Sequence, residues 1–144
     1  MAKLTLLEGP AGSGKSQLAS QMLADGEVQL LADLTMLWAA ISGAQRDPET
    51  GRYPIRQDND PTLPIAVYLR KAAVRVGLDN DLDVVVTSGT PDAVTEWAPI
   101  AASASAGFQL RTVDPGRDVV TARLSEPDGT LLEQCSKAIR RWYG

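Results

Sequence analysis

Two hydrophobic rhythms alternate along the chain. Short apolar runs of strand length are separated by segments in which apolar residues recur at helical spacing. Leu4, Thr5, Leu6 and Leu7 give a first strand over 3–7, followed by a helix over about 15–24 carrying Leu18, Met22 and Leu23 and closed by Asp25-Gly26. Val28, Leu30 and Leu31 give a second strand ending at Ala32-Asp33, and Leu34, Leu37, Trp38 and Ile41 form one face of a helix over 33–41. A third helix starts at Thr62, with Pro64 in its first turn and Gly77 as its stop. Its predicted buried face is Ile65, Leu69, Ala72, Ala73 and Val76, which leaves Arg70, Lys71 and Arg75 to water.

The run Leu82, Val84, Val85, Val86 is β-branched and uninterrupted, as in a parallel strand buried on both faces, and it finishes at Thr87-Ser88-Gly89. Thr90 and Pro91 are start signals for a helix through Val94, Trp97 and Ala101, which Pro99 should bend or interrupt. A fourth strand, 108–113, ends at Asp114-Pro115-Gly116. A short helix over about 118–124 and a final one over about 130–143 complete the chain, the last burying Leu131, Leu132, Cys135, Ile139 and Trp142. Strands alternating with helices predict an α/β fold with a doubly wound, mainly parallel sheet of about four to five strands and helices on both faces.

Periodicity stops between Ser42 and Pro61, where Gly, Pro, Asp and Asn punctuate the chain. Connections of roughly twenty residues are unusual inside a compact domain and serve as lids, binding loops or mobile excursions. Arg46, Arg52, Tyr53 and Arg56 lie within it, so a substrate-side loop and a solvated excursion both fit.

Composition narrows the chemistry. The 144 residues suit one domain spanning 1–144. With 14 basic against 18 acidic residues the net charge is −4, which disfavours coating nucleic acid by bulk charge. There is no histidine, so histidine catalysis and histidine metal sites are excluded. Cys135 is the single cysteine, and its spacing to Leu131, Leu132 and Ile139 makes it a core position. No long apolar segment suggests a membrane span, and a cytoplasmic protein is the expectation.

Between the first strand and first helix lies Gly9-Pro10-Ala11-Gly12-Ser13-Gly14-Lys15-Ser16. It matches the phosphate-binding pattern of Gly, four residues, Gly-Lys-Ser/Thr at every fixed position, in the strand-loop-helix setting that the chemistry needs. Glycines let successive N–H groups turn in around an anion at a helix N-terminus. Lys15 would reach the β- and γ-phosphates, and the Ser16 hydroxyl would ligate Mg²⁺. Because open α/β sheets bind ligands at strand carboxyl ends, Asp33 is the acid best placed beside the γ-phosphate. It can serve as a base for an acceptor hydroxyl, hold Mg²⁺ through water, or cap the following helix.

From these residues onward the chain resembles the P-loop kinases of the bacteriophage polynucleotide 5′-hydroxyl kinase type and, more distantly, zeta-toxin and small-metabolite kinases. The likeness is sharpest in the glycine loop, in Val86-Thr87-Ser88-Gly89-Thr90-Pro91-Asp92 followed by Trp97, and in Val113-Asp114-Pro115-Gly116 followed by Val119-Val120-Thr121-Ala122-Arg123. A closing helix rich in aromatic and basic residues, Cys135 to Gly144, completes it. The resemblance implies a three-layer P-loop NTPase fold, ATP and Mg²⁺ as cofactors, and phosphoryl transfer to a hydroxyl of a nucleic acid end, a nucleoside or nucleotide, or a small metabolite. It implies catalytic roles for Lys15, Asp33 as base and Arg123 as a lid arginine, with Ser16 and Asp33 at the metal. Gly9, Pro10, Ala11, Gly12, Ser13, Gly14, Lys15, Ser16 and Gln17 would bind the nucleotide, and Arg117 would stack on adenine.

Three family charges are missing: an acid at the end of the third strand, a second lid arginine, and an arginine one turn after the base. Arg46, Arg52 and Arg56 are the substrate-binding candidates that could replace them. As a plain surface residue, Arg123 would instead pair with Glu126. The absence of an Asn-Lys-x-Asp sequence favours ATP over GTP. The missing charges also leave open a second reading, a weakly catalytic ATP-binding switch or assembly factor acting through a protein partner or a second copy.

Overall fold

A computed structural model describes residues 1–144. Four strands, β1 (Lys3–Glu8), β2 (Leu30–Ala32), β3 (Val84–Ser88) and β4 (Gly107–Thr112), form one sheet in the order β2-β3-β1-β4. Every pairing is parallel, with Leu4 opposite Val84 and Leu6 opposite both Val86 and Leu110. The helices are α1 (Lys15–Ala24), α2 (Leu34–Ser42), α3 (Leu63–Asp79), α4 (Val94–Ser103), α5 (Arg117–Leu124) and α6 (Glu133–Tyr143). None is long and apolar enough to cross a membrane.

Successive strand side chains point to opposite faces, so each central strand feeds two cores. Leu4, Leu6, Val84 and Val86 pack with Val74 and Leu78 of α3 and Trp97, Ile100 and Ala101 of α4. On the other face Leu7 and Val85 meet Ala19 and Met22 of α1 and Val28. A smaller cluster of Trp38, Ala39 and Ala66 joins α2 to α3, and the Trp38 indole donates to Asp60 at 2.9 Å, tying down the end of the long loop. This is the predicted α/β fold, with four parallel strands and helices on both faces.

Several elements depart from expectation. Gly77 does not stop α3, which runs on to Asp79. A Cβ there would stand 3.0 Å from Val84 and 3.3 Å from Leu30, so the glycine permits close packing of helix on sheet. The buried face of α3 is Ala66, Arg70, Val74, Gly77 and Leu78, while Ile65 and Val76 are 54% and 59% exposed. Gly77 lets the helix approach the sheet while Val74 and Leu78 fill the core beside it, a rotation set by packing rather than by hydrophobicity. Helix α4 starts at Val94, because Asp92 adopts a left-handed φ of 62° just before it. Pro99 neither ends nor interrupts α4; buried Trp97, Ile100 and Ala101 hold the helix across the missing donor. Helix α6 begins at Glu133, and its buried residues are Cys135 and Ile139; Leu132 is 41% exposed, and Leu131 and Trp142 are half-buried. Cys135 is a core position as expected, its thiol pushed upward by burial.

Candidate active site

The glycine loop is pinned on both sides at the carboxyl edge of the sheet. The Gly9 N–H donates to the Ser88 carbonyl at 3.1 Å, and the Val113 N–H to the Glu8 carbonyl at 2.8 Å. Val113 lies so close that a Cβ on Gly9 would run into its carbonyl oxygen. Gly14 precedes α1 with φ 95°, a left-handed conformation, and no side chain caps the helix. The first N–H groups of α1 are therefore free to bind an anion.

Lys15 folds back over this loop, its ammonium 3.2 Å from the Pro10 carbonyl. Burial lowers it to about 8, Asp33 opposing the shift and Arg56 adding to it. Ser16 Oγ donates to Asp33 Oδ2 at 2.7 Å, and Thr87 Oγ1 donates to the same oxygen at 2.8 Å. Asp33 Oδ1 accepts from the Met36 N–H at 2.9 Å. One buried carboxylate thus caps α2 and joins the ends of β2, β3 and the glycine loop.

A cleft of about 330 Å³ opens above these groups, lined also by Thr35, Arg56, Arg70, Glu96, Ala138 and Arg141. Arg56 donates to Thr35 Oγ1 at 2.6 Å. Burial depresses the Arg56 guanidinium; Asp33 opposes that shift and Arg141 adds to it. Arg70 donates to the Thr87 carbonyl at 3.0 Å and lies 5.1 Å from the Trp97 ring centroid. A broader depression of about 1700 Å³ opens on the other side of the loop, bordered by Gly14, Gln17, Arg46, Arg52 and Arg123.

The structure therefore brings Lys15, Ser16, Asp33 and Arg56 together in the inner cleft. Arg123 reaches the glycine loop from α5, donating to the Gly12 carbonyl at 3.1 Å. Arg46 and Arg52 face the outer depression, Arg46 lying 4.8 Å from the Tyr53 ring centroid. Arg117 borders neither space; it lies 6.0 Å from the Tyr143 ring centroid, and the Tyr143 hydroxyl donates to Asp114.

Arg70, Glu96 and Arg141 line the cleft without having been singled out in the sequence. The signal for Arg70 was its four-residue spacing from Ala66 and Val74, the true inner face of α3. For a divalent cation the chain offers the Ser16 hydroxyl and the Asp33 carboxylate, and no cluster of three or more Asp, Glu, Cys or His side chains. Two hard oxygens suit Mg²⁺, which takes most of its ligands from water and substrate phosphates.

A parallel sheet ordered β2-β3-β1-β4, with a glycine loop opening its first crossover, is the fold of P-loop kinases. The chain aligns over 97% of its length with a chain of the Pnkp1/Rnl/Hen1 RNA repair complex, at TM-score 0.66 and 16% identity, and spans 43% of that chain. It aligns over 99% with a putative kinase from Chloroflexus aurantiacus, at TM-score 0.67 and 11% identity, covering 80% of it. A gluconokinase from Sinorhizobium meliloti matches at TM-score 0.56 and 15% identity, with 99% of this chain and 75% of that one covered. No protein-family model and no curated protein matches the sequence. Two of these three structural neighbours are described as kinases, one of them a gluconokinase.

Proposed function

We propose that the chain is a single catalytic domain that transfers the γ-phosphoryl group of ATP to an acceptor hydroxyl. The observation that carries this reading is the contact of Ser16 with Asp33 directly behind Lys15, at the mouth of a cleft large enough for a small acceptor. The N–H groups at the start of α1 cradle the phosphates, and Lys15 follows the charge on the transferring group. Ser16, with Asp33 through water, would hold Mg²⁺, and the ion would supply positive charge to offset that of the terminal phosphates. Arg123, already on the glycine loop, contributes a second cation from the α5 side.

Asp33 takes the acceptor proton. As the hydroxyl oxygen bonds to the γ-phosphorus, the bond to the bridging oxygen breaks, ADP leaves, and the proton passes to Oδ2. Thr87 and Ser16 orient that carboxylate beforehand, so little reorganisation remains for the reaction step.

A second reading, an ATP-binding switch with little turnover, is favoured by one feature: β3 ends in Thr87-Ser88-Gly89, with no acid to activate water. Calorimetry with Mg·ATP, together with transfer from labelled ATP to a panel of hydroxyl acceptors, separates the two. Lys15→Ala is expected to abolish measurable ATP binding. Asp33→Asn keeps a capping side chain, so it should still bind Mg·ATP, more weakly than the parent because a charge beside the metal is lost, while losing about 10²- to 10⁴-fold in turnover. Parental turnover in Asp33→Asn would remove Asp33 as the base and leave phosphoryl transfer standing. ATP binding with no acceptor labelled favours the switch.

A further inference from the structure

Arg70 is the most deeply buried cationic residue of the chain, at 9% exposure. None of its nitrogens has a carboxylate within 4.0 Å, and its Nε has no hydrogen-bond partner. Its contacts are the Thr87 carbonyl and the face of Trp97. A guanidinium carries five donors, so most of this one's capacity is unspent. Burial lowers its pKa, and Glu96 and then Asp33 oppose that shift only from beyond ion-pair distance; a cation buried with no carboxylate in contact is placed to take a ligand's counter-charge.

The neighbours sharpen this. The cleft is lined by Lys15, Arg56, Arg70 and Arg141 against only Asp33 and Glu96, and Glu96 already faces Lys71 at 3.8 Å. Four cations against two acids leave two positive charges in excess, inside a chain whose net charge is −4. Nucleotide phosphates at the glycine loop engage Lys15 and the α1 N–H groups, which leaves three arginines in the cleft against Asp33 and Glu96. Thr87 links the two halves of the site: its carbonyl accepts from Arg70, and its hydroxyl donates to Asp33.

We propose that the acceptor is a small alcohol bearing an anionic group, a phosphate or a carboxylate, held by Arg70 with Arg56 and Arg141 while its hydroxyl faces Asp33. This rests on the phosphotransferase reading, but the anion subsite can be tested without turnover.

The protein is saturated with Mg²⁺ and a non-hydrolysable ATP analogue, then titrated with inorganic phosphate, a nucleoside 3′-monophosphate, a sugar phosphate and a hydroxycarboxylate, each organic acid beside its neutral parent. The anionic members are expected to bind and the neutral ones not, and the tightest class identifies the source of the anion. Arg70→Gln should weaken anion binding about 10- to 100-fold, the worth of one charge-assisted contact, and leave analogue affinity within about twofold. Arg56→Gln, on a loop and outside the cores, should act in the same direction and serves should Arg70→Gln not fold. With turnover restored, both variants raise the acceptor KM far more than they lower kcat. Equal binding of neutral and anionic partners overturns the proposal. So does a loss of analogue affinity matching the loss of anion affinity, since Arg70 then serves the nucleotide. Anion binding with no transfer to any acceptor overturns the phosphotransferase reading and leaves the subsite standing.

Discussion

Lys15 sits where its own charge is expensive, and that makes it pH-sensitive in a range open to experiment. Burial lowers it to about 8 in the free protein. A polyphosphate beside the ammonium favours the charged form, so above about 8 the bound state holds one more proton than the free state. Affinity for Mg·ATP should then be flat below pH 7 and fall about tenfold per pH unit above 8, as one-proton linkage requires. ATP itself is fully ionised throughout, phosphate monoesters having a second pKa of about 6. Calorimetry at pH 7, 8 and 9 in buffers of different ionisation enthalpy reads both the slope and the proton uptake; constant affinity would separate Lys15 from the phosphates. Arg70 makes the complementary prediction for stability. Arg70→Met exchanges an unpaired buried cation for an apolar side chain, a change that is often neutral or stabilising. Its melting temperature should match or exceed the parent's, whereas a loss beyond about 3 kcal/mol, more than one charge-assisted hydrogen bond contributes, would make Arg70 structural. The two residues differ in how they could be read. Lys15 stands at a fixed place in a motif whose geometry is local, whereas the role of Arg70 depends on which face of α3 meets the sheet.

At the scale of elements, strands and glycine loop were legible because their signals lie within a few consecutive residues. The apolar run Val84–Val86 needs no partner to identify it, and Asp33 follows a strand end whatever packs nearby. Helix faces were harder. In α3 Ile65 and Val76 point outward, while Ala66 packs on α2 and Val74, Gly77 and Leu78 face the sheet, because tertiary packing rather than residue size sets which face turns inward. Hydrophobicity alone therefore chose the wrong face and sent Arg70 to water. The same logic governs the joint between the glycine loop and the segment after β4. Gly9→Ala places a methyl against the Val113 carbonyl, and neither backbone can yield without moving a strand end. The expected outcome is a loss of about 1–3 kcal/mol in stability, read by chemical denaturation, with weaker ATP binding because the loop shifts. A parental stability would mean that the strand ends are looser than this geometry describes.

The molecule as a whole combines an acidic net charge with a cationic cleft, and the two act on different ligands. Surrounding negative charge repels a long polyanion along most of its contour, whereas the field inside a low-dielectric cleft still draws in a small anion. A single-stranded oligonucleotide with a 5′-hydroxyl could place its end at Asp33 and its first phosphates at Arg56, Arg70 and Arg141, the next cations being those that border the outer depression. Three phosphate contacts on a single strand correspond to a log–log salt slope of about −2. Binding of oligonucleotides from three to twenty residues, measured against salt, should keep that slope, with affinity rising only weakly with length. A slope that steepens with length would require contacts outside the cleft, and Arg46 and Arg52 in the outer depression are the cations positioned to make them. Arg46→Gln and Arg52→Gln would then bring the long oligonucleotide back to the short one's slope, and a polynucleotide rather than a compact anionic alcohol would be the ligand this surface serves.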